Sequence, residues 1–313
     1  MGLETAEKTQ STSGVRGATA TAALLRDLID YAGLFPPASL SMAASVVNYA
    51  AYSSSEWNWI LGRFVVPAAR LDEFAEAAEA LPTAAAETIW RLSALLGPDV
   101  AGDVNRIQSF NSRILRMPLV ATVESVEVKV SSAEEVNRLS EIIPREMATY
   151  FEVPLENCAE LIAAIGKSGR RAKIRTGGET ADKFPTPEEV IEFIRVCVGA
   201  RVPFKATAGL HHPLRSVHRL TYQPDSPSVM MHGFLNVFLA SAFLRAGMDP
   251  KLAVLLLEEQ SQDAFHLDSD GISWREHRLR REEIAEARRD FAISFGSCSF
   301  TEPIEDLRSL HLL

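Results

Sequence analysis

Cysteine is scarce in this chain. There are three, Cys158, Cys197 and Cys298, with no CxxC pair among them. An odd, scattered set gives neither a disulfide framework nor a zinc cluster, so the three read as buried free thiols. Long apolar runs are also missing. The nearest to one, 234–257, is broken by Arg245, Asp249, Pro250 and Lys251, and no segment predicts a membrane span. Residues 1–21 are rich in Ala, Thr, Ser and Gly, without the basic start and apolar stretch of a secretory signal. A cytoplasmic protein with a disordered tail over 1–20 is expected. Positive charge is in deficit, with 32 Lys and Arg against 41 Asp and Glu and a formal net charge of −9. Such a surface repels phosphate backbones and anionic headgroups, so neither nucleic acid nor membrane is an expected partner. There is no GxGxxG fingerprint, no P-loop and no HExxH pair, so no cofactor and no bound metal is expected. No fixed-period repeat appears, which excludes a solenoid.

What is present is an alternation. The 313 residues are 47% apolar, enough for a large core. Short apolar, β-branched runs alternate with segments of helical spacing, the pattern of βα units around a parallel sheet. Eight strands are predicted, at 33–36, 61–66, 89–95, 123–130, 148–153, 172–175, 203–208 and 292–295. Helices are predicted at 22–29, 71–81, 158–165 and 190–196, with apolar residues three and four apart. Ser132 and Thr186 precede acid-rich first turns and read as helix caps. Eight strands with intervening helices predict a (β/α)8 TIM barrel in a single domain over 21–313. An insertion over 214–290 separates strands seven and eight. It contains an apolar helix at 233–246, a second at 250–259, a hairpin at 265–274 turning on Ser269-Asp270-Gly271, and a polar helix at 282–289. The alternative register makes 265–267 the last barrel strand. The apolar insertion helix is a candidate cover for the barrel mouth or a homodimer face.

Barrel active sites lie where strands end and loops begin. Strand four ends with Glu127 and Lys129, two apart and therefore on one side of the sheet. Strand five ends in Glu152, strand six carries Lys173 and Arg175, and strand seven carries Lys205 and Thr207 before His211-His212. Two lysines on adjacent strands are the sharpest signal. A lysine inside a barrel is costly unless paired or neutral, and a second cation nearby disfavours its protonation. A neutral amine attacks a carbonyl to form a Schiff base. The competing reading has one or both lysines snorkelling outward or pairing with Glu127 or Glu152. The histidines also allow two readings: acid/base or anion-binding groups at a loop, or a metal site built from His211 or His212 with His232 and Glu152.

These motifs resemble those of the class I aldolases of the deoxyribose-phosphate aldolase type. Lys173-Ile174-Arg175-Thr176-Gly177 is similar to that family's Schiff-base lysine run on strand six, and Lys205-Ala206-Thr207-Ala208-Gly209 to its second lysine on strand seven. Residues 30–36 resemble the family's first strand, Tyr150-Phe151-Glu152 its fifth, and Gly296-Ser297 its phosphate loop after strand eight. The resemblance spans most of 25–300 in short motifs. It implies Lys173 as nucleophile, Lys205 as the modulator of its pKa and Glu127 as proton carrier. Arg175, Thr176, Gly177, Thr207, His211, His212, Glu152, Gly296 and Ser297 would line the substrate site. The chain departs from the pattern at Arg175, at His211-His212 in place of a glycine-rich turn, and in the long insertion. Deoxyribose phosphate itself is therefore not the expected substrate; a small oxo-acid or phosphorylated sugar is. The rival expectations are a metal-dependent barrel lyase or hydrolase using His211, His212 and His232, and a non-catalytic barrel that binds a small anion.

Overall fold

The computed structural model describes residues 19–82, 88–115 and 119–313. Nearly all of the tail expected over 1–20, residues 1–18, lies outside the described residues. Eight parallel strands close into a barrel: β1 (Ile29–Tyr31), β2 (Leu61–Pro67), β3 (Trp90–Leu95), β4 (Ala121–Lys129), β5 (Ala148–Glu152), β6 (Arg171–Arg175), β7 (Phe204–Thr207) and β13 (Ala292–Ser297). They run in order round the barrel, with β13 between β7 and β1. Between β7 and β13 lie a hairpin of β8 (Ser216–Arg219) and β9 (Ser228–Met231), then an antiparallel sheet of β10 (Phe265–Leu267), β11 (Gly271–Trp274) and β12 (His277–Arg280). The last barrel strand is therefore 292–297, and 265–267 belongs to the inserted sheet.

The early helices are α1 (Ala20–Leu25), α2 (Met42–Ser53), α3 (Leu71–Glu79), α4 (Val100–Ile114), α5 (Ala133–Ile142), α6 (Cys158–Ser168) and α7 (Pro187–Ala200). The later ones are α8 (Phe234–Arg245), α9 (Pro250–Glu258), α10 (Arg281–Asp290) and α11 (Thr301–Ser309). Their starts follow from local chemistry. The Ser132 hydroxyl accepts from the Glu135 amide at 3.2 Å, and Thr186 and Glu189 form a reciprocal capping box around Pro187. Gly169 ends α6 at φ +68°, the left-handed turn that glycine adopts without strain.

Two expectations are corrected. The first strand is Ile29–Tyr31, not 33–36, and α1 ends at Leu25 instead of reaching residue 29. Residues 33–36 form a turn, with the Phe35 amide bonded to Ala32 O at 3.0 Å, and the prolines at 36 and 37 have no N–H to give a ladder. The apolar insertion helix α8 is not an open face either. Its residues 234–244 are all buried, and it packs on α7, α9, α10 and β13. Phe234 stacks on Phe295 with ring centroids 5.2 Å apart. A helix that is apolar all round is enclosed by its own chain, and this one is.

Candidate active site

Register sets the site. Lys173 on β6 lies beside Lys205 on β7, and Glu152 on β5 lies beside Lys173. Neighbouring strands stand ~4.8 Å apart, so these side chains meet across the barrel interior. Glu127 Oε2 is 2.8 Å from Lys173 Nζ, and Glu127 Oε1 is 2.7 Å from Lys205 Nζ. Lys173 has a second carboxylate, Glu152 Oε2, at 2.8 Å, and Lys205 a second, Asp30 Oδ2, at 2.6 Å. Arg175 Nε reaches Glu152 Oε1 at 3.1 Å. The result is a chain of alternating charge: Asp30, Lys205, Glu127, Lys173, Glu152, Arg175. Three cations and three anions cancel (3 − 3 = 0), as a buried cluster requires.

The remaining lone pairs are also used. Ser93 donates to Glu127 Oε1 at 2.7 Å and in turn accepts from Ser125 at 2.9 Å. Ser294 donates to Asp30 Oδ2 at 2.8 Å, and the Arg63 amide to Asp30 Oδ1 at 2.7 Å. Burial pushes the Glu127 carboxyl up, but the two lysines outweigh it and hold the group well below the usual carboxylate range. Asp30 is lowered against its burial by Lys205 and Arg63, and Glu152 against its burial by Lys173 and Arg175. Burial acts to lower Lys205, yet Asp30 and Glu127 raise it above an ordinary lysine. The expected picture of two cations facing each other is therefore replaced by one in which Glu127 stands between them.

A cavity of about 1340 Å³ opens at these strand ends. Its wall includes Lys173, Lys205, Glu127, Glu152, Arg175, Thr207, His211, His212 and Gly296. Three further sequence candidates support the wall from behind. Thr176 is fully buried, and its hydroxyl donates to Ala208 O at 2.6 Å, tying the β6 and β7 loops together. A Cβ on Gly177 would lie 2.8 Å from Gly209 Cα, so glycine there permits the two loops to touch. Ser297 is buried and accepts from the Ser299 amide at 3.3 Å.

The histidines divide. His211 Nδ1 is 3.0 Å from Glu302 Oε2 and His212 Nδ1 is 2.6 Å from Asp306 Oδ2. His232 stands apart from them. Its Nε2–H donates to Pro185 O at 2.8 Å, and its Nδ1 accepts from Arg215 Nη1 at 3.0 Å. Both ring nitrogens of His232 are thus committed elsewhere. Among the described residues, no group of three or more His, Cys, Asp or Glu is arranged to hold a metal ion.

Sequence reasoning missed Asp30, Glu302, Asp306, His218 and Tyr222. Asp30 opens the segment that resembles the family's first strand, but the strand itself was placed at 33–36, and its true position at Ile29–Tyr31 was the signal needed to aim Asp30 inward. Glu302 and Asp306 are four apart on α11, a spacing that shows one face, but the reading of the barrel stopped at residue 300.

A closed eight-stranded parallel barrel with an ionised cluster at the strand ends defines the class, a (β/α)8 barrel of the α/β type. The chain is similar in structure to a deoxyribose phosphate aldolase from Aeropyrum pernix, itself described as a unique tetramer. The likeness covers 96% of this chain and 100% of that one, with a TM-score of 0.50 and 11% sequence identity, and it is a likeness of fold. No family profile matches the chain, and no curated protein matches it.

Proposed function

We propose that the protein is a Schiff-base-forming lyase of the aldolase type, acting on a small carbonyl compound. The observation that carries this reading is the carboxylate of Glu127 shared between Lys173 and Lys205 at 2.8 and 2.7 Å. The second carboxylate of Lys173, Glu152, lines the cavity, whereas the second carboxylate of Lys205, Asp30, is fully buried behind it. Lys173 is therefore the nucleophile and Lys205 the fixed cation.

The chemistry balances within the cluster. Lys173 gives a proton to Glu152, and the free amine adds to the substrate carbonyl carbon. Glu152 returns that proton to the new alkoxide while Glu127 takes one from the nitrogen, giving the carbinolamine. Glu127 then protonates the hydroxyl, water leaves and an iminium remains. In cleavage, a carboxylate removes the proton of the β-hydroxyl, and the C–C bond electrons move toward the iminium. An aldehyde departs and an enamine stays on Lys173. Protonation of the enamine carbon and addition of water release the second product. Positioned acid/base groups of this kind contribute ~10²–10⁴-fold each.

The test is reductive trapping. Wild-type protein incubated with small aldehydes and ketones, then treated with borohydride, acquires an adduct mass located on Lys173. The adduct is absent from Lys173→Ala. An adduct on any other lysine in the wild type, with Lys173 unmodified, refutes the assignment.

A further inference from the structure

We propose that the cavity wall built by His211, His212, His218 and Glu302, with Asp306 behind His212, is the distal half of the substrate site, and that it selects an uncharged, hydroxylated chain over a phosphorylated one. The proposal rests on the Schiff-base reading for its substrate class, though its test does not.

The place is the loop after β7 and the helix after β13, two neighbouring strands. Many barrels hold a phosphate there on the N–H groups of a helix start. This chain fills that position with a carboxylate. Glu302 stands in the first turn of α11 and lines the cavity. Its amide is already taken by Ser299 Oγ at 3.1 Å. Burial raises the Glu302 carboxyl, but His211 outweighs it, so the group is an anion. Asp306 follows one turn later, against His212. His218 lies on His212 at 3.3 Å between centroids and 8° between planes, and burial with His212 beside it pushes His218 down to about 4. Of the hairpin groups on this side, Tyr222 lies near Cys298 with its hydroxyl 3.6 Å from Sγ, and Arg219 is an exposed cation at the rim.

A phosphate placed against this wall meets the Glu302 carboxylate and no free helix amide at Glu302, which is repulsive at short range. A hydroxyl meets the reverse. It donates to carboxylate oxygens and pairs with ring nitrogens, because it both gives and accepts hydrogen bonds. Charge-assisted bonds to carboxylates are the strong members of such a set. The half-buried His–carboxylate pairs fix those oxygens in place, so their orientation is settled before a ligand arrives. The substrate class that fits both ends of the cavity is an unphosphorylated polyhydroxy carbonyl compound.

The test uses ligands that lack a carbonyl: xylitol, glycerol 3-phosphate and inorganic phosphate, each titrated into wild-type protein with ligand-detected NMR. Xylitol is expected to bind saturably, with both phosphates weaker by about tenfold or more. Glu302→Gln, checked for folding by circular dichroism, is expected to weaken xylitol about tenfold, and Asp306→Asn, which acts only through His212, is expected to weaken it less. Glu302→Gln is also expected to gain binding of glycerol 3-phosphate. Absence of xylitol binding, or wild-type preference for either phosphate, including one lost in Arg219→Ala, overturns the proposal. Borohydride trapping with propanal on the same preparation separates the two readings. Xylitol binding without a Lys173 adduct retains the subsite and removes the Schiff base; an adduct with phosphate preference does the opposite.

Discussion

At the scale of single residues, Glu127 is the pivot of the site. One carboxylate serves two ammonium groups and one hydroxyl, and nothing else in the cluster touches both lysines. Glu127→Gln keeps the shape but removes one charge, leaving the cluster at net +1 and turning an amide N–H toward an ammonium. Breaking one partner of a buried ion network costs ~3–5 kcal/mol, because the remaining charges stay buried without compensation. The trapping rate at Lys173 is expected to fall by about 10²-fold or more, since the proton carrier is gone. Stopped-time borohydride trapping and urea unfolding check the two effects separately. Unchanged trapping in a folded Glu127→Gln would remove the acid/base role. Lys173, Lys205, Glu127 and Glu152 were legible in the sequence because strand ends with period-two spacing say which side chains share a side of the sheet. Asp30 was not, since its burial depends on where a three-residue strand begins, and short strands carry too little pattern to fix that. The partners Ser93 and Ser294 were invisible for another reason: a serine in an apolar strand reads as filler until its acceptor is located in space.

At the scale of elements, the seam between β1 and β13 is where the barrel joins its ends. Asp30 pairs in register with Gly296 there, and β1 has only three residues. A short strand gives a weak ladder, so the seam has a second fastening. Arg288 on α10 is buried, and its guanidinium donates to Leu24 O, Arg26 O, Ala292 O and Ile293 O. It also lies over the Phe238 ring at 5.0 Å. Burial lowers its pKa to about 10, so it remains a cation at neutral pH. Arg288→Met is expected to fill the space yet leave those carbonyls short of donors, at ~1–3 kcal/mol for each one left dry. A drop of roughly 3 kcal/mol in urea unfolding, with Lys173 trapping retained in the folded fraction, is the expected outcome. A loss below about 0.5 kcal/mol, the size of an ordinary surface change, would show that the seam does not depend on this residue. The alternation of strands and helices was legible because period two and period 3.6 each imprint on the sequence. The location of α8 inside the molecule was not, because an apolar helix is equally compatible with a subunit face until its neighbours are known.

At the scale of the whole molecule, the buried ionisable groups predict how the fold responds to acid. His232 accepts a hydrogen bond from Arg215 at Nδ1, which requires a neutral ring, and burial pushes its pKa from 6.5 to about 4. Between those values the unfolded chain binds more protons than the folded one, so stability rises with pH. The contribution is complete above 6.5 and is lost as pH falls toward 4. The span of 6.5 − 4 at ~1.36 kcal/mol per unit corresponds to roughly 3 kcal/mol. His218 acts in the same direction, more weakly because it is only half buried. The carboxylates Asp30, Glu127 and Glu152 act in the same direction but in a lower window. Their folded values lie below the ordinary range, so what they contribute persists through this window and is lost only below about pH 4. Acid unfolding is therefore expected in two stages, histidine first and lysine cluster second. Urea midpoints measured at pH 7, 6, 5 and 4.5 on wild type and His232→Gln test the first stage. The variant is expected to be less stable at pH 7 and to show a flatter decline toward pH 5, with the two curves converging. Parallel curves would mean that His232 does not set the acid limit and that the ionised cluster begins to fail at a higher pH than its pairing implies.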